Sequence, residues 1–199
     1  MAPGRARLAH RHMAALRTLL LLGLLLTARG QKAARRRRPP PPQSWWPCRW
    51  CHPCAMQLSG KWFLVSMASR CSYLLEHSHH LEATTVTITI LDGQSLAIST
   101  FRKLDKMCWE IRQHYLPAQA PGRFLLKGEG DWSGVDVVVG EADPSNFIIL
   151  YYQKGRSTSV KLYGRTSLVS DAIMDKFEQH IRAVGLSEDV TYYFPTYGG

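Results

Sequence analysis

Gly60-Lys61-Trp62 begins a series of short segments in which apolar and polar residues alternate. Three residues with one variable position recur by chance, so the weight of this tripeptide comes from its position. It stands at the start of the first alternating segment, directly after a stretch rich in proline and cysteine. Lys161-Leu162-Tyr163-Gly164-Arg165 ends the last such segment. The sequence therefore places a tryptophan and an arginine at the two ends of one series of strands.

The alternation of residue types predicts eight strands. In the stretch 85–90, threonines alternate with Val86, Ile88 and Ile90, as is typical of a strand with one buried face. Asp92-Gly93 follows as a tight-turn pair. The remaining predicted strands begin at Lys61 or span Ser95–Phe101, Met107–Leu116, Arg123–Lys127, Val135–Gly140, Phe147–Gln153 and Ser157–Tyr163. Eight short strands with no helix between them indicate an antiparallel barrel or sandwich.

A single amphipathic helix is predicted over residues 170–184. Ser170 is suited to cap it, and Asp171 suits the positive end of the helix dipole. Gly185 supplies the stop. Apolar residues recur on one face at Ile173, Phe177, Ile181 and Val184. We expect this helix to cover part of the barrel wall, and residues 190–194 to add a ninth strand at an edge.

This ordered set of motifs resembles the lipocalin family over roughly Leu58 to Gly199. The resemblance implies an all-β fold: an eight-stranded antiparallel up-and-down barrel with one C-terminal helix on its wall. It also implies that Gly60, Trp62 and Arg165 form a structural motif that plugs the closed end. An indole fills such an end with a large apolar area, and a guanidinium stacked on it gains about 1 kcal/mol. Glu141-Ala142-Asp143 is expected between two later strands.

Longer stretches resemble a branch of the family whose members are subunits of the terminal complement (membrane attack) assembly. These stretches are Ser99-Thr-Phe-Arg-Lys-Leu-Asp, Gly122-Arg-Phe-Leu-Leu and Ser159-Val-Lys-Leu-Tyr. The resemblance implies a secreted, non-catalytic subunit that binds the complement alpha subunit through its barrel mouth. The alternative is an extracellular carrier of small hydrophobic ligands. Both functions use one fold, and a fold alone does not decide between them.

The segment Ser69 to Glu82 corresponds to the long loop over the barrel mouth in lipocalins. By resemblance, Cys71 in this segment forms a disulfide to the complement alpha subunit. The other possibility is an ordinary free or internally paired thiol. The residues expected to form the mouth beside Cys71 are Ser69, Arg70, Ser72, Tyr73 and Leu74. An exposed unpaired thiol at this place favours the partner-binding subunit, since a pure carrier has no use for it.

Five cysteines cannot all pair within one chain. Cys108 lies in the fourth predicted strand, which lipocalins commonly tie to a cysteine in the C-terminal tail. This sequence ends without that cysteine, so we expect an altered or truncated C-terminus. Cys48, Cys51 and Cys54 have the spacing of a zinc or iron–sulfur ligand set and also contain a thioredoxin-like Cys-His-Pro-Cys box. We favour extracellular disulfides for them, one of which could reach Cys108, with no metal and no cofactor.

The N-terminus accounts for the formal charge of +10. Residues 1–30 combine five arginines with an apolar stretch from Thr18 to Ala28, which predicts a secretory signal peptide and hence a secreted protein. Residues 31–57 form a basic arm, rich in proline and cysteine, that we expect to be disordered. From Gln43 onward the chain has fifteen basic and fifteen acidic residues. A nucleic-acid partner is therefore not expected, because its binding face requires clustered cations on the fold itself. Eleven apolar residues span only about half of a bilayer core, so a membrane-anchoring helix is not expected.

The sequence does not favour an enzyme. Prostaglandin-isomerising lipocalins have a nucleophilic cysteine near the start of the second strand, where this chain has Glu82-Ala83-Thr84-Thr85. It also lacks a recognisable Ser–His–Asp set, a phosphate-binding loop or paired carboxylates at a defined spacing. The histidines at 77, 79 and 80 could bind a metal or sense pH. We interpret them as polar residues of a mobile loop without fixed ligand geometry.

Overall fold

The computed structural model describes residues 57–104, 107–128 and 134–196. The predicted signal peptide, the basic arm and the three cysteines at 48, 51 and 54 lie outside these residues, so those expectations remain predictions.

Nine strands and two helices form the described part of the chain. The strands are β1 (Gly60–Ser69), β2 (Thr84–Ile90), β3 (Leu96–Leu104), β4 (Met107–Pro117), β5 (Arg123–Lys127), β6 (Val135–Asp143), β7 (Phe147–Lys154), β8 (Ser157–Gly164) and β9 (Thr191–Tyr193). The helices are α1 (Ser72–His77) and α2 (Asp171–Ala183). Short 3-10 turns span Ser78–His80, Asp92–Gln94 and Glu188–Val190.

The strands form a closed antiparallel barrel. The sheet runs in the order β2-β3-β4-β5-β6-β7-β8-β1-β9, and β1 also pairs with β2 to close it. Strand β1 joins β2 through residues 60–63 and β8 through residues 63–69. Strand β9 pairs with residues 66–68 of β1, where β2 has separated from it. The eight-stranded barrel with a C-terminal helix is thus confirmed, and the expected ninth strand lies at an edge.

Two apolar layers hold this architecture together. One fills the barrel interior, and the other lies between the outside of the wall and α2. The interior layer includes Trp62, Leu64, Val86, Ile88, Leu96, Ile98, Phe124, Leu126, Val137, Ile148 and Leu150. The second includes Val138, Ile149, Tyr151, Val160, Leu162, Phe177 and Ile181. Neighbouring residues of β7 and β8 alternate between the two layers, as the two-residue period of a strand requires.

Three local predictions were wrong. The segment expected as a mobile loop contains α1 and a 3-10 turn over residues 72–80. Asp92-Gly93 is not a two-residue hairpin turn but part of a 3-10 turn whose last residue, Gln94, has a φ of 65°. Glu141-Ala142-Asp143 does not lie between strands but forms the end of β6, because a bulge after Val139 lets the pairing with β7 continue.

Helix α2 begins close to the expected place, but not through a side-chain cap. The side chain of Ser170 makes no capping hydrogen bond, although its backbone carbonyl accepts from Ile173 N at 2.9 Å and from Met174 N at 3.1 Å. Its predicted apolar face is the one that packs on the barrel. Gly185 follows the helix with a φ of 77°, a left-handed conformation that glycine adopts without steric cost.

Candidate functional site

The closed end of the barrel is plugged by an aromatic ring and a guanidinium. Trp62 is fully buried, and its indole Nε1 donates a hydrogen bond to Leu58 O at 2.9 Å. The guanidinium carbon of Arg165 lies 3.7 Å from the centre of the Trp62 ring, which is stacking contact. Gly60 has a φ of 102°, and a Cβ there would lie 3.3 Å from Arg165 Nη1. Only glycine fits this backbone without strain.

Arg165 also ties three segments of the chain together. Its Nε donates to Pro144 O at 2.8 Å, and its Nη2 donates to Gln57 O at 2.7 Å. Its Nη1 donates to Ser59 O at 3.1 Å and to Lys61 O at 3.2 Å. All four acceptors are backbone carbonyls at the closed end of the barrel. The geometry is that of a structural clasp, with no group positioned for chemistry.

A cluster of tyrosines closes the barrel at mid-depth. Tyr115 Oη donates to Tyr152 Oη at 3.1 Å, and Tyr152 Oη lies 3.4 Å from Tyr163 Oη. The Tyr115 and Tyr152 rings meet edge to face, with centroids 6.4 Å apart. Burial raises the pKa of Tyr115 and of Tyr152 well above the usual value, so both hydroxyls stay neutral at physiological pH. Below this cluster the interior is packed with apolar side chains.

Above the tyrosines, the inner wall is open to solvent. The register pairs Trp109 of β4 with Arg102 and Ile111 with Thr100, on the same face as Tyr115. Trp109 and Ile111 therefore point into the barrel, yet they are 50% and 44% exposed. Such exposure of inward-facing apolar side chains means that the mouth half of the barrel is an open cup. We call this space the upper calyx.

The mouth segment holds Cys71 at the rim of the upper calyx. Cys71 precedes α1, and its backbone carbonyl accepts from Leu74 N at 3.1 Å and Leu75 N at 3.2 Å. Its N–H donates to Ser69 Oγ at 3.3 Å, and Ser69 Oγ lies 2.8 Å from Ser159 Oγ on β8. The thiol itself is exposed and forms no disulfide with another described residue. The fold thus fixes the backbone of Cys71 while leaving its sulfur accessible.

The other predicted residues of the mouth are placed around this thiol. Arg70 Nη2 donates to Gly185 O at 2.8 Å, which anchors the segment to the chain beyond α2. Ser72 and Tyr73 are exposed, and Leu74 is half-buried. Tyr73 stacks on His77 at a centroid distance of 4.3 Å, and His77 Nδ1 lies 2.9 Å from Tyr73 O.

The histidines of the mouth segment are ordered by local contacts. Besides the Tyr73–His77 stack, the rings of His79 and His80 lie 4.0 Å apart. Within the described residues, no group of three or more His, Cys, Asp or Glu side chains is arranged to hold a metal ion. Nor does any helix in those ranges have the length and apolar character needed to cross a membrane.

Cys108 lies on the outer face of β4, opposite Lys103 of β3. Its side chain is exposed, and it is free in the described part of the chain. The two described thiols therefore differ in setting, because Cys71 stands at the rim of the calyx and Cys108 on the outside of the wall.

A polar network beneath α2 was missed by sequence reasoning. Tyr151 Oη lies 2.5 Å from His180 Nδ1, and His180 Nε2 lies 3.1 Å from Glu141 Oε2. Lys176 also pairs with Glu141. Burial opposes ionisation of Glu141, but hydrogen bonds and charges from Lys176 and His180 outweigh it and hold its pKa below the ordinary value. A histidine on an otherwise apolar helix face was the available signal.

Comparison with known proteins places this geometry in a family. A model of the lipocalin / cytosolic fatty-acid binding protein family matches residues 59–197. The chain belongs to the lipocalin family. This lipocalin is 42% identical to the complement component C8 gamma chain of Oryctolagus cuniculus over 144 residues, which cover 72% of this chain and 71% of that one. It is 30% identical to Lipocalin-15 of Homo sapiens over 145 residues, covering 71% and 77% of the two chains.

Two further comparisons mark the breadth of the family. The lipocalin is 28% identical over 142 residues to Prostaglandin-H2 D-isomerase of Sus scrofa, covering 68% and 75% of the two chains. It shares the fold of the siderocalin Ex-FABP, with a TM-score of 0.61 at 18% identity, covering 71% of this chain and 92% of that structure. Family membership indicates a binding protein, although one of these relatives bears the name of an enzyme.

Proposed function

We propose that this lipocalin is a secreted, non-catalytic subunit of the terminal complement assembly. In this proposal it binds the complement alpha subunit through the upper calyx and is then linked to it by a disulfide at Cys71. The observation that carries the proposal is the exposed thiol of Cys71 at the rim of an open calyx. The identity of 42% to a complement component C8 gamma chain supports the same assignment.

The geometry of the mouth suits capture after docking. The backbone on both sides of Cys71 is held by α1 and by Ser69, so a partner segment meets the sulfur in a defined position. Apolar side chains at the mouth, including Tyr73 and Leu75 at 59% and 54% exposure, offer area that a docked segment can bury. An oxidising exterior preserves a disulfide once it has formed. Non-covalent docking therefore supplies the affinity, and the bond makes the complex permanent.

The test is a non-reducing gel of the lipocalin co-expressed with the complement alpha subunit. We expect Cys71→Ser to abolish the covalent complex while a non-covalent complex still co-purifies. Cys108→Ser is the matched control, because it removes the other exposed thiol, on the outer wall, and should leave the covalent complex intact. If the covalent complex survives Cys71→Ser but is lost in Cys108→Ser, Cys108 forms the interchain disulfide and the assignment to Cys71 is wrong.

A carrier of small hydrophobic ligands is the second candidate function. It is favoured by the inward-facing Met107, Trp109 and Ile111, which are 57%, 50% and 44% exposed and available to an apolar ligand. The tyrosine cluster limits the depth that such a ligand can reach. If the complement alpha subunit binds in neither covalent nor non-covalent form, while a hydrophobic dye displaces water from the calyx and quenches Trp109, the carrier function replaces the first proposal.

The described residues supply no constellation that favours an enzyme over a binder. The stretch that would contain the isomerase thiol, Glu82 to Thr85, has one carboxylate, one methyl and two threonine side chains around the start of β2, and no thiol. The polar network at Glu141 and His180 lies on the outer wall beneath α2, outside the calyx, and its histidine is 7% exposed. We therefore place the function of the chain in binding.

A further inference from the structure

The wall of the upper calyx carries two cationic side chains. Arg102 of β3 pairs in register with Thr84 of β2 and Trp109 of β4, which lie on the interior face. Lys161 of β8 lies on the same face, with its Nζ 4.3 Å above the centre of the Tyr152 ring. Both cations are half-buried. Arg102 lies at the level of the exposed Trp109, and Lys161 lies beside the tyrosine cluster that forms the floor of the upper calyx.

No carboxylate on the wall balances these cations. The strands of the described residues place no Asp or Glu at an interior-facing position. The wall acids point outward, where Glu110 pairs with Arg112, Asp136 with Arg123, and Glu141 with Lys176. The two acids of the mouth segment, Glu76 and Glu82, belong to the connection and not to the wall. Neither Arg102 nor Lys161 forms an ion pair within the described ranges.

This imbalance has an electrostatic consequence. A concave surface of one sign focuses its field, because its walls have a low dielectric constant and little water separates the charges. Placing a lone cation on such a wall has a desolvation cost that an incoming anion offsets. Polar groups that can donate to the same anion lie nearby on the interior face, at Thr100, Gln113 and Ser159. The upper calyx is therefore complementary to a carboxylate.

The depth of the upper calyx favours a peptide segment as the source of that carboxylate. The tyrosine cluster closes the barrel beneath it, and the side chains below, such as Ile88 and Ile98, are 3% and 5% exposed. From Met107 to Gln113 the wall spans six residue steps, or about 20 Å of strand. A cup of this depth, whose wall carries Arg102 and Gln113 among its apolar side chains, fits a folded-back loop with a charged side chain better than an extended acyl chain, whose tail would meet polar groups.

We propose that the upper calyx binds an acidic segment of the partner chain, whose carboxylate is held between Arg102 and Lys161. This inference rests on the proposed function and adds the chemistry of the docked segment. Lys161 and Arg102 are binding residues in it, and Cys71 provides the later covalent link. Since the cations lie on two separated strands, they fix the position of the segment as well as its charge.

The experiment measures non-covalent binding of recombinant complement alpha subunit to the full-length lipocalin carrying Cys71→Ser, at 50 and 300 mM NaCl. We expect Arg102→Gln and Lys161→Gln each to weaken binding about tenfold or more at the lower salt, because each leaves a buried carboxylate with one partner fewer. The salt dependence should also become shallower. Lys103→Gln is the matched control: it removes the same charge one residue from Arg102 on the outer face, and should change the affinity less than about twofold.

A second experiment distinguishes the two possible sources of the carboxylate, a free acid and an acidic side chain of the partner. Quenching of tryptophan fluorescence by decanoate reports binding of a free acid to the same wall. Hydrogen exchange of the complex locates the protected segment of the alpha subunit, whose Asp and Glu residues are then changed to Asn and Gln. Loss of affinity in those partner variants, without further loss in Lys161→Gln, supports the inference.

The outcomes remain distinguishable. If the alpha subunit binds and both calyx variants behave like Lys103→Gln, the inference is overturned while the proposed function stands. If decanoate binding depends on Arg102 and Lys161 but alpha-subunit binding does not, the cations serve a small acid and the inference is again overturned. If the alpha subunit does not bind the Cys71→Ser protein or the unmodified protein, the proposed function fails and the inference fails with it.

Discussion

Arg165 shows how one side chain completes a barrel end. A barrel closes its edges by pairing strands, but its ends leave carbonyl groups that no strand can satisfy. The guanidinium has five N–H donors in a rigid fork, and four backbone carbonyls receive bonds from it here. Its flat face remains available for Trp62. A lysine has the charge but neither the fork nor the face.

The first prediction at this scale concerns Trp62. Trp62→Ala should lower the free energy of unfolding by about 3–5 kcal/mol, as expected when a large buried aromatic side chain is truncated. Trp109→Ala is the control, because that ring is half-exposed in the calyx and its loss should cost less than about 1.5 kcal/mol. Urea denaturation followed by circular dichroism measures both. Equal losses of unfolding free energy in the two variants would contradict the role of Trp62 in filling the closed end of the barrel.

The second prediction tests the planar guanidinium geometry of Arg165 separately from its positive charge. Arg165→Lys should lower the free energy of unfolding by about 1–3 kcal/mol, because most of the four carbonyl bonds and the ring stacking are lost. Arg112→Lys is the matched control on the exposed face of β4, where its pair with Glu110 is solvated and the urea midpoint should stay at the wild-type value. A wild-type urea midpoint for Arg165→Lys would mean that charge alone closes the barrel end.

At the scale of elements, α2 is held on the wall by apolar packing around one polar network. A carboxylate only accepts hydrogen bonds, so His180 Nε2 donates to Glu141, while His180 Nδ1 lies 2.5 Å from the Tyr151 hydroxyl on the other side of the ring. Gly140 makes room for this, since a Cβ there would lie 2.3 Å from the Tyr151 ring. The network thus fixes the rotation of α2 on the barrel.

The third prediction is the pH dependence of this network. The pKa of Glu141 is lowered in the folded protein, so its contribution is present above the unfolded pKa and is lost as pH falls through the folded pKa. Glu141→Gln should therefore destabilise the protein by about 1–2 kcal/mol at pH 7. Once the pH has fallen below the folded pKa of Glu141, the variant and the wild type should unfold alike. Glu178→Gln, which breaks an i,i+4 pair with Arg182, serves as control and should change stability by less than about 0.5 kcal/mol. If the difference in unfolding free energy between Glu141→Gln and the wild type does not change with pH, the ionised Glu141 does not stabilise the fold through this network.

The elements with a clear period could be predicted from the sequence. Strand β5 lies where the alternation placed it, and α2 lies within a residue of its predicted bounds. Helix α1 could not be found, because it has six residues, none of them buried, and therefore no apolar face for a pattern to reveal. The bulge in β6 was hidden for a different reason: it depends on pairing with β7 and not on the local residues.

The site was predictable only where its residues stood in motifs. Trp62, Arg165 and Cys71 were marked by their order along the chain. The tyrosine cluster and the Glu141–His180 pair join residues that lie far apart in sequence and have no common spacing. The same holds for Arg102 and Lys161, whose shared wall follows only from strand register.

At the scale of the whole molecule, charge is distributed in three zones. The N-terminal residues carry the excess of +10, the chain from Gln43 onward is balanced, and within it the upper calyx has cations without wall acids. At 0.15 M salt the Debye length is about 8 Å, so an exposed basic segment acts on a partner only where it lies close to it. Half-buried cations on a concave wall are screened much less. We therefore expect the few cations of the calyx to contribute more to the attraction of an acidic partner at physiological salt than the many arginines of the basic run.

The last prediction tests this order of importance. Deleting Gln31 to Pro42 removes Lys32 and the Arg35–Arg38 run, yet it should leave the melting temperature unchanged and the affinity for the complement alpha subunit within about twofold at 150 mM NaCl. At 10 mM NaCl the Debye length grows to about 30 Å, and a modest loss of affinity is expected there. Replacing the four arginines with glutamine at full length separates the effect of charge from that of length. Loss of affinity at 150 mM NaCl in both variants would make the basic run part of the recognition surface, and the calyx cations would then not be the main source of electrostatic attraction.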